Sequence, residues 1–290
     1  MKKARTVRVG CRETAFCRAQ TQRVLERLGE EHPAATFEVV AFPSASSTIL
    51  DALAAGSCDV HVRGARELPV DLPEEVALAA LTERVDPFDV LVTHDGALLE
   101  ELPERAVVGV ESARVRVQLA RFRDDLTIKT LDGTVDALYG ALERGEIAGF
   151  IAAAEDVETL GLQASVSEVF PPDILLPAAG QGSFALLVRA GDDAATQIVR
   201  PVDHRITHQV VDAERAFLRE LHVDAAHPVA VHGHFDDDLL VLEALLGDEV
   251  SGAILRDDLD GSPEEGADLG VRLAKLVLAD GARDYLAGYR

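Results

Sequence analysis

The stretch Pro177-Ala178-Ala179-Gly180-Gln181-Gly182, running into Ser183-Phe184-Ala185-Leu186-Leu187-Val188, decides how this chain folds. A proline and two glycines interrupt the pattern, and the apolar run after them reads as a buried strand. It lies late in a chain of alternating strand and helix patterns, so it is expected to return to a sheet begun much earlier. The glycines would let the backbone cross between two domains where larger residues could not follow. The alternative is an ordinary glycine-containing turn before a strand.

Upstream, residues 7–9 read as a first strand, 10–12 as a turn and 14–28 as a helix. Residues 37–41 give a second strand, 49–53 a short helix and 59–62 a third strand. This order points to a parallel sheet with helices on its faces. Ligands gather beyond the carboxyl ends of such strands. Here that edge carries Arg12 and Thr14, residues 44–47 and residues 63–67. The alternation then repeats: strands at 106–110, 126–130 and 149–153, and helices at 112–122, with Ser112 as N-cap, and 134–142. Two similar α/β units with a cleft between them are therefore expected. Beyond Gly182, residues 207–221 are strongly helical. Strands follow at 228–231 and 239–245 around an acidic turn at 236–238, and another at 252–256. Residues 257–266 read as an exposed loop and 269–280 as a last helix, giving a small C-terminal α+β domain. The expected boundaries are 1–86 with 183–204, then 87–182, then 205–290.

Composition narrows the function. The chain is 48% apolar, and no run approaches the length of a membrane span. Its N-terminus leads straight into a strand-like segment without a signal-peptide core, so a cytoplasmic location is expected. Net charge is −23 with four lysines, which argues against nucleic acid, since phosphate neutralisation needs basic patches. Neither nucleic acid nor membrane is expected as a partner, and a monomer is expected. An acidic chain can still bind an anion locally through a few placed arginines. The three cysteines, Cys11, Cys17 and Cys58, form neither a disulfide framework nor a zinc signature. His227, His232 and His234 lie near the acidic turn, but no second motif completes a metal site, and none is expected.

Val9-Gly10-Cys11-Arg12, Arg66-Glu67-Leu68-Pro69, the stretch from Pro177 to Gly182, and Ala213-Glu214-Arg215-Ala216-Phe217-Leu218 resemble hydroxymethylbilane synthase (porphobilinogen deaminase). They fall in that family's order and at similar spacings, and the resemblance covers essentially the whole chain. It implies two α/β domains like periplasmic binding proteins around a cleft, plus the small α+β domain. It also implies a transferase of tetrapyrrole biosynthesis that converts porphobilinogen to hydroxymethylbilane on a dipyrromethane primer. By the same resemblance Glu67 would be the catalytic carboxylate, and Arg12, Thr14, Arg66, Arg114 and Gln181 would bind a pyrrole or tetrapyrrole-like small molecule.

The chain departs from that pattern where the family's chemistry is concentrated. The family joins its primer to a C-terminal-domain cysteine through a thioether, and that position falls on Ala225. Family arginines fall on Val115, Asp132, Leu138 and Thr159, and the family's aspartate becomes Glu67. No covalently held dipyrromethane is therefore expected. The departures speak against polymerisation of porphobilinogen and for ligand binding in the cleft. Two alternatives stand beside this: an active synthase whose primer is held without a covalent bond, and a non-catalytic partner of tetrapyrrole enzymes.

Overall fold

Valine-rich segments covered on both faces by helices favour a pleated sheet, because β-branched side chains pack well on that surface. The computed structural model describes residues 6–43, 46–131 and 135–286. Ser44, Asp132 and Gly133 lie outside the described residues. The chain divides into two units, Met1–Arg84 with Ser183–His208, and Val85–Gly182 with Gln209–Arg290.

The first unit opens with β1 (Thr6–Arg12), α1 (Ala15–Glu31), β2 (Thr36–Phe42), α2 (Ser46–Ala54), β3 (Val60–Gly64) and β4 (Val76–Leu81). The second unit begins with β5 (Asp89–Thr93), β6 (Val107–Val110), α3 (Ala113–Phe122), β7 (Thr127–Thr130) and α4 (Val135–Glu143). It continues through β8 (Gly149–Ala153), α5 (Ala154–Thr159) and β9 (Val166–Val169). The chain then returns to the first unit as β10 (Phe184–Arg189) and α6 (Asp193–Val199). The helix α7 (Arg205–Leu221) starts in the first unit and continues in the second. The chain ends with β11 (Val229–Asp236), β12 (Leu239–Gly247), β13 (Ile254–Gly261), α8 (Gly266–Ala279) and α9 (Ala282–Leu286).

The two five-stranded sheets share one plan, with orders β2-β1-β3-β10-β4 and β7-β6-β8-β5-β9. The run from Phe184 does return to the first sheet, pairing Phe184 with Gly64 and Val188 with Val60. It runs antiparallel to β3 and β4, so the sheet is mixed and not wholly parallel as expected. The cause is local. β10 enters at the end where β3 stops, and Ala65 N–H, just past β3, donates to Ser183 O at 2.8 Å. In the second sheet β5 is likewise antiparallel to β8 and β9. β4 escaped the sequence reading because Val76-Ala77-Leu78-Ala79-Ala80-Leu81 is alanine-rich, and alanine is depleted in strands.

Gly182 carries the turn before β10. Its φ is +85°, and a Cβ there would lie 2.7 Å from Val85 O. Both conformation and close approach demand glycine. The C-terminal sheet has the order β11-β12-β13 and packs its inner face on α8. Residues 257–261, expected in an exposed loop, instead belong to β13, paired from Asp257↔Ala244 to Gly261↔Leu240. Exposed Asp258 and Asp260 alternate with half-buried Asp257, Leu259 and Gly261, a period-two pattern on an edge strand.

Buried Val210, Ala213, Phe217, Leu242, Leu269 and Leu273 form the core of this C-terminal layer. Here α8 lies so close to α7 that a Cβ on Gly270 would sit 2.1 Å from Ala213 O. Gly270→Ala is expected to lower stability by about 1–3 kcal/mol through overpacking. Gly29→Ala, in α1 with nothing within 4 Å of its Cβ position, is expected to be neutral or to stabilise by up to about 1 kcal/mol. Urea midpoints of the two variants check the contrast.

Candidate functional site

The carboxyl ends of the parallel strands β1 and β3 place Arg12 and Arg63 side by side, and the 3₁₀ turn Ala65–Glu67 brings Glu67 back between them. One carboxylate oxygen, Glu67 Oε2, lies 3.3 Å from Arg63 Nη2 and 3.5 Å from Arg12 Nη1. The other, Oε1, has no partner among the described residues. Arg12 and Glu67 are 23% and 24% exposed at the side chain, so solvent or a ligand reaches both. Arg63 is buried. Burial pushes its pKa below the usual arginine range, and Glu67 opposes that. Two guanidinium groups thus meet at one oxygen of a single carboxylate.

Thr14 caps α1, its hydroxyl accepting from Cys17 N–H at 3.1 Å. The hydroxyl oxygen expected to meet a ligand therefore also holds the start of a helix. Arg66 sits half-buried in the same 3₁₀ turn. Of the expected residues, the first unit brings Arg12, Thr14, Arg66 and Glu67 onto one edge. The sequence reading put Arg63 on that edge without giving it a role. An arginine ending the buried run Val60-His61-Val62 was the available signal.

The chain's three thiols all lie in this unit. Burial raises Cys11 and pushes Cys58 up to about 11. Half-buried Cys17 is also raised by burial, against the Thr14 hydrogen bond; Glu67 adds to the rise, and Arg12 and Arg63 oppose it. None is an activated thiolate of the kind that makes cysteine a strong nucleophile.

Arg114, expected at the ligand, is engaged within the protein. It is buried, with Nη1 donating to Asp89 Oδ2 (2.8 Å) and Leu176 O (2.7 Å). Nη2 donates to Asp89 Oδ1 (2.8 Å) and Gln181 Oε1 (3.3 Å). All four terminal donors are committed inside the protein, so this geometry leaves none of them for a ligand carboxylate. Gln181 is fully buried; its Oε1 also accepts from Ala178 N–H at 3.2 Å. Both residues brace the glycine stretch. Asp89, in the apolar strand β5, was not anticipated as the partner, although a carboxylate in such a run calls for a cation.

Apart from Glu67, the positions expected to depart from the family's pattern lie in the second unit. Val115 and Leu138 are 2% and 1% exposed and serve as core. Thr159 Oγ1 donates to Glu155 O at 2.8 Å within α5. Ala225 is exposed in the turn before β11, where Asp224 Oδ1 accepts from Ala226 N–H. His232 and His234 stack with ring centroids 6.2 Å apart, and no three metal-ligating side chains gather among the described residues.

The family described as porphobilinogen deaminase, dipyromethane cofactor binding domain, matches residues 7–197. Porphobilinogen deaminase, C-terminal domain, matches residues 208–279. The chain belongs to the porphobilinogen deaminase family. Porphobilinogen deaminase of Thermus thermophilus is 35% identical over 300 residues, covering 99% of this chain and 100% of that protein. That of Pelotomaculum thermopropionicum is 33% identical, covering 97% of this chain and 96% of that protein. Among solved structures, the methionine binding protein MetQ aligns with a TM-score of 0.48 at 13% identity, over 70% of this chain and 92% of that one. The family is one of tetrapyrrole biosynthesis, and its first domain binds a dipyrromethane cofactor. A thioether to that group needs a thiol, and residues 59–290 contain none. The donor set of the C-terminal domain does not fit a covalent anchor. No helix among the described residues is long and apolar enough to cross a membrane.

Behind the arginine edge, His61 is 2% exposed with Nδ1 2.9 Å from Gly10 O. Burial, reinforced by Arg63 and Arg12 and opposed by the Gly10 bond, pushes its pKa from 6.5 down to about 4. Unfolded chains then take up the proton first. The contribution is intact above pH 6.5 and is lost as pH falls towards 4, by about 3 kcal/mol in all. Unfolding free energies of the wild type and His61→Gln between pH 7 and pH 4 should diverge by that amount, the wild type losing more.

Proposed function

We propose that this member of the family binds a pyrrole bearing carboxylate groups, of the porphobilinogen class, at the Arg12–Arg63–Glu67 edge, and does so reversibly. The observation that carries this reading is the absence of any thiol after Cys58, together with burial that keeps all three existing thiols protonated. Growth of a chain anchored through sulfur in the C-terminal domain has no atom to start from. The edge itself supplies complementary chemistry. Guanidinium groups pair with the acetate and propionate of porphobilinogen, and Glu67 Oε1 faces its cationic aminomethyl group. Arg114 and Gln181 act on the ligand only by holding the glycine stretch in place.

A second reading, turnover on a primer held without a covalent bond, is favoured by one specific feature. Glu67 keeps a carboxylate between two cations, where it would stabilise the positive charge left on the pyrrole as ammonia departs.

Calorimetric titration with porphobilinogen tests the first reading. Saturable binding is expected, weakened about tenfold or more in Arg12→Ala. It should be unchanged in Arg144→Ala, whose exposed side chain pairs with Glu146. Absence of binding, or equal binding by Arg12→Ala, would refute it. Consumption of porphobilinogen only when preformed linear tetrapyrrole is added would establish the second reading.

A further inference from the structure

A cavity within the second unit belongs to none of this chemistry. It has a volume of about 530 Å³, inside the range of small-molecule pockets (roughly 300–1,000 Å³). Its floor is apolar: Leu245 of β12, Ile254 of β13, and Ile174 from the segment leading to the glycine stretch. The end of α3 forms its rim with Arg121 and Phe122, and Phe122 is 46% exposed. Two cations face this space, and they differ. Arg256 is already matched, with Nη2 2.6 Å from Glu243 Oε2 and 3.7 Å from Asp173 Oδ1. Arg121 is exposed and has neither an ion pair nor a hydrogen bond among the described residues. In a chain of net charge −23, an unmatched guanidinium beside an open aromatic ring and an apolar floor is a local exception.

We propose that this cavity is a binding site for a small aromatic monoanion, its ring body on Phe122, Ile174, Leu245 and Ile254 and its single acidic group on Arg121. One charge suffices because Glu243 already neutralises the other cation, and a second acidic group would meet Asp173. A flat body suits the ring of Phe122 and the aliphatic floor. At the inner end of the cavity, Gln118 donates through Nε2 to Leu176 O and accepts at Oε1 from Leu176 N–H. Leu176 O also receives Arg114 Nη1, so the occupant would press on the residues that brace the glycine stretch. Occupation therefore stiffens the second unit.

The test is a fluorescence titration of the full chain with 8-anilinonaphthalene-1-sulfonate, an aromatic monoanion, beside its neutral relative N-phenyl-1-naphthylamine. Saturable binding of the sulfonate is expected, with the neutral probe at least several-fold weaker. Arg121→Glu should weaken the sulfonate about tenfold or more and leave the neutral probe nearly unaffected. Phe122→Ala should weaken both, and Arg144→Glu neither. Arg121 and Phe122 are exposed, so these variants retain the core, and unchanged circular dichroism confirms it. No saturable binding overturns the proposal. So does sulfonate binding that is equal in the wild type and Arg121→Glu, or equal affinity for the two probes. None of these outcomes depends on porphobilinogen.

Discussion

One buried carboxylate holds the second unit in register. Glu214, on α7, has no exposure to solvent; Oε2 accepts from Gly180 N–H at 2.7 Å and Oε1 from Gly233 N–H at 2.8 Å. Desolvating a carboxylate costs several kcal/mol, and the cost is offset only when its oxygens find donors. Both donors are backbone groups of glycines, one in the Pro177–Gly182 stretch and one in β11. The helix, the strand and the stretch are therefore fixed to one another through a single side chain. Its neighbour Ala213 is where α8 makes its closest approach, against Gly270. The motif Ala213-Glu214-Arg215-Ala216-Phe217 is thus a structural joint, with Phe217 as its anchor in the core.

The same rule of matched charge separates the chain's arginines by role. Arg8 pairs with Asp59, Arg123 with Asp125 and Arg114 with Asp89, each with a carboxylate of its own. Such pairs leave no surplus charge for a ligand. At the edge of the first sheet the pattern differs, because Arg12 and Arg63 both approach one oxygen of Glu67. This meeting of two guanidinium groups lies where parallel strands end, as the fold favours for a ligand.

Much of the architecture was legible in the sequence because period and punctuation agreed. The valine-rich strands, the capped helix α1 and the return strand after Gly182 each announced themselves. The direction of β10 was not legible, since a continuous apolar run fits parallel and antiparallel pairing alike; its register against β3 and β4 is antiparallel. β13 was hidden because Asp257, Asp258 and Asp260 look like a loop, yet Asp258 and Asp260 lie two apart on the open face of an edge strand. In the candidate site, motif spacing led to Arg12 and Glu67. It could not reveal that Arg114 spends its donors on Asp89, because that pairing joins residues far apart in sequence. Arg63 was overlooked as a site residue for the same reason: its value lies in sharing Glu67 with Arg12.

The central claim is that the pyrrole ligand is held by charge at the Glu67 edge and leaves no covalent mark. Intact-mass spectrometry after incubation with porphobilinogen and removal of free ligand tests it most directly. The account predicts the mass of the unmodified chain, before and after incubation. A mass raised by two or more pyrrole units, surviving denaturation and mapping to Cys11, Cys17 or Cys58, would contradict it.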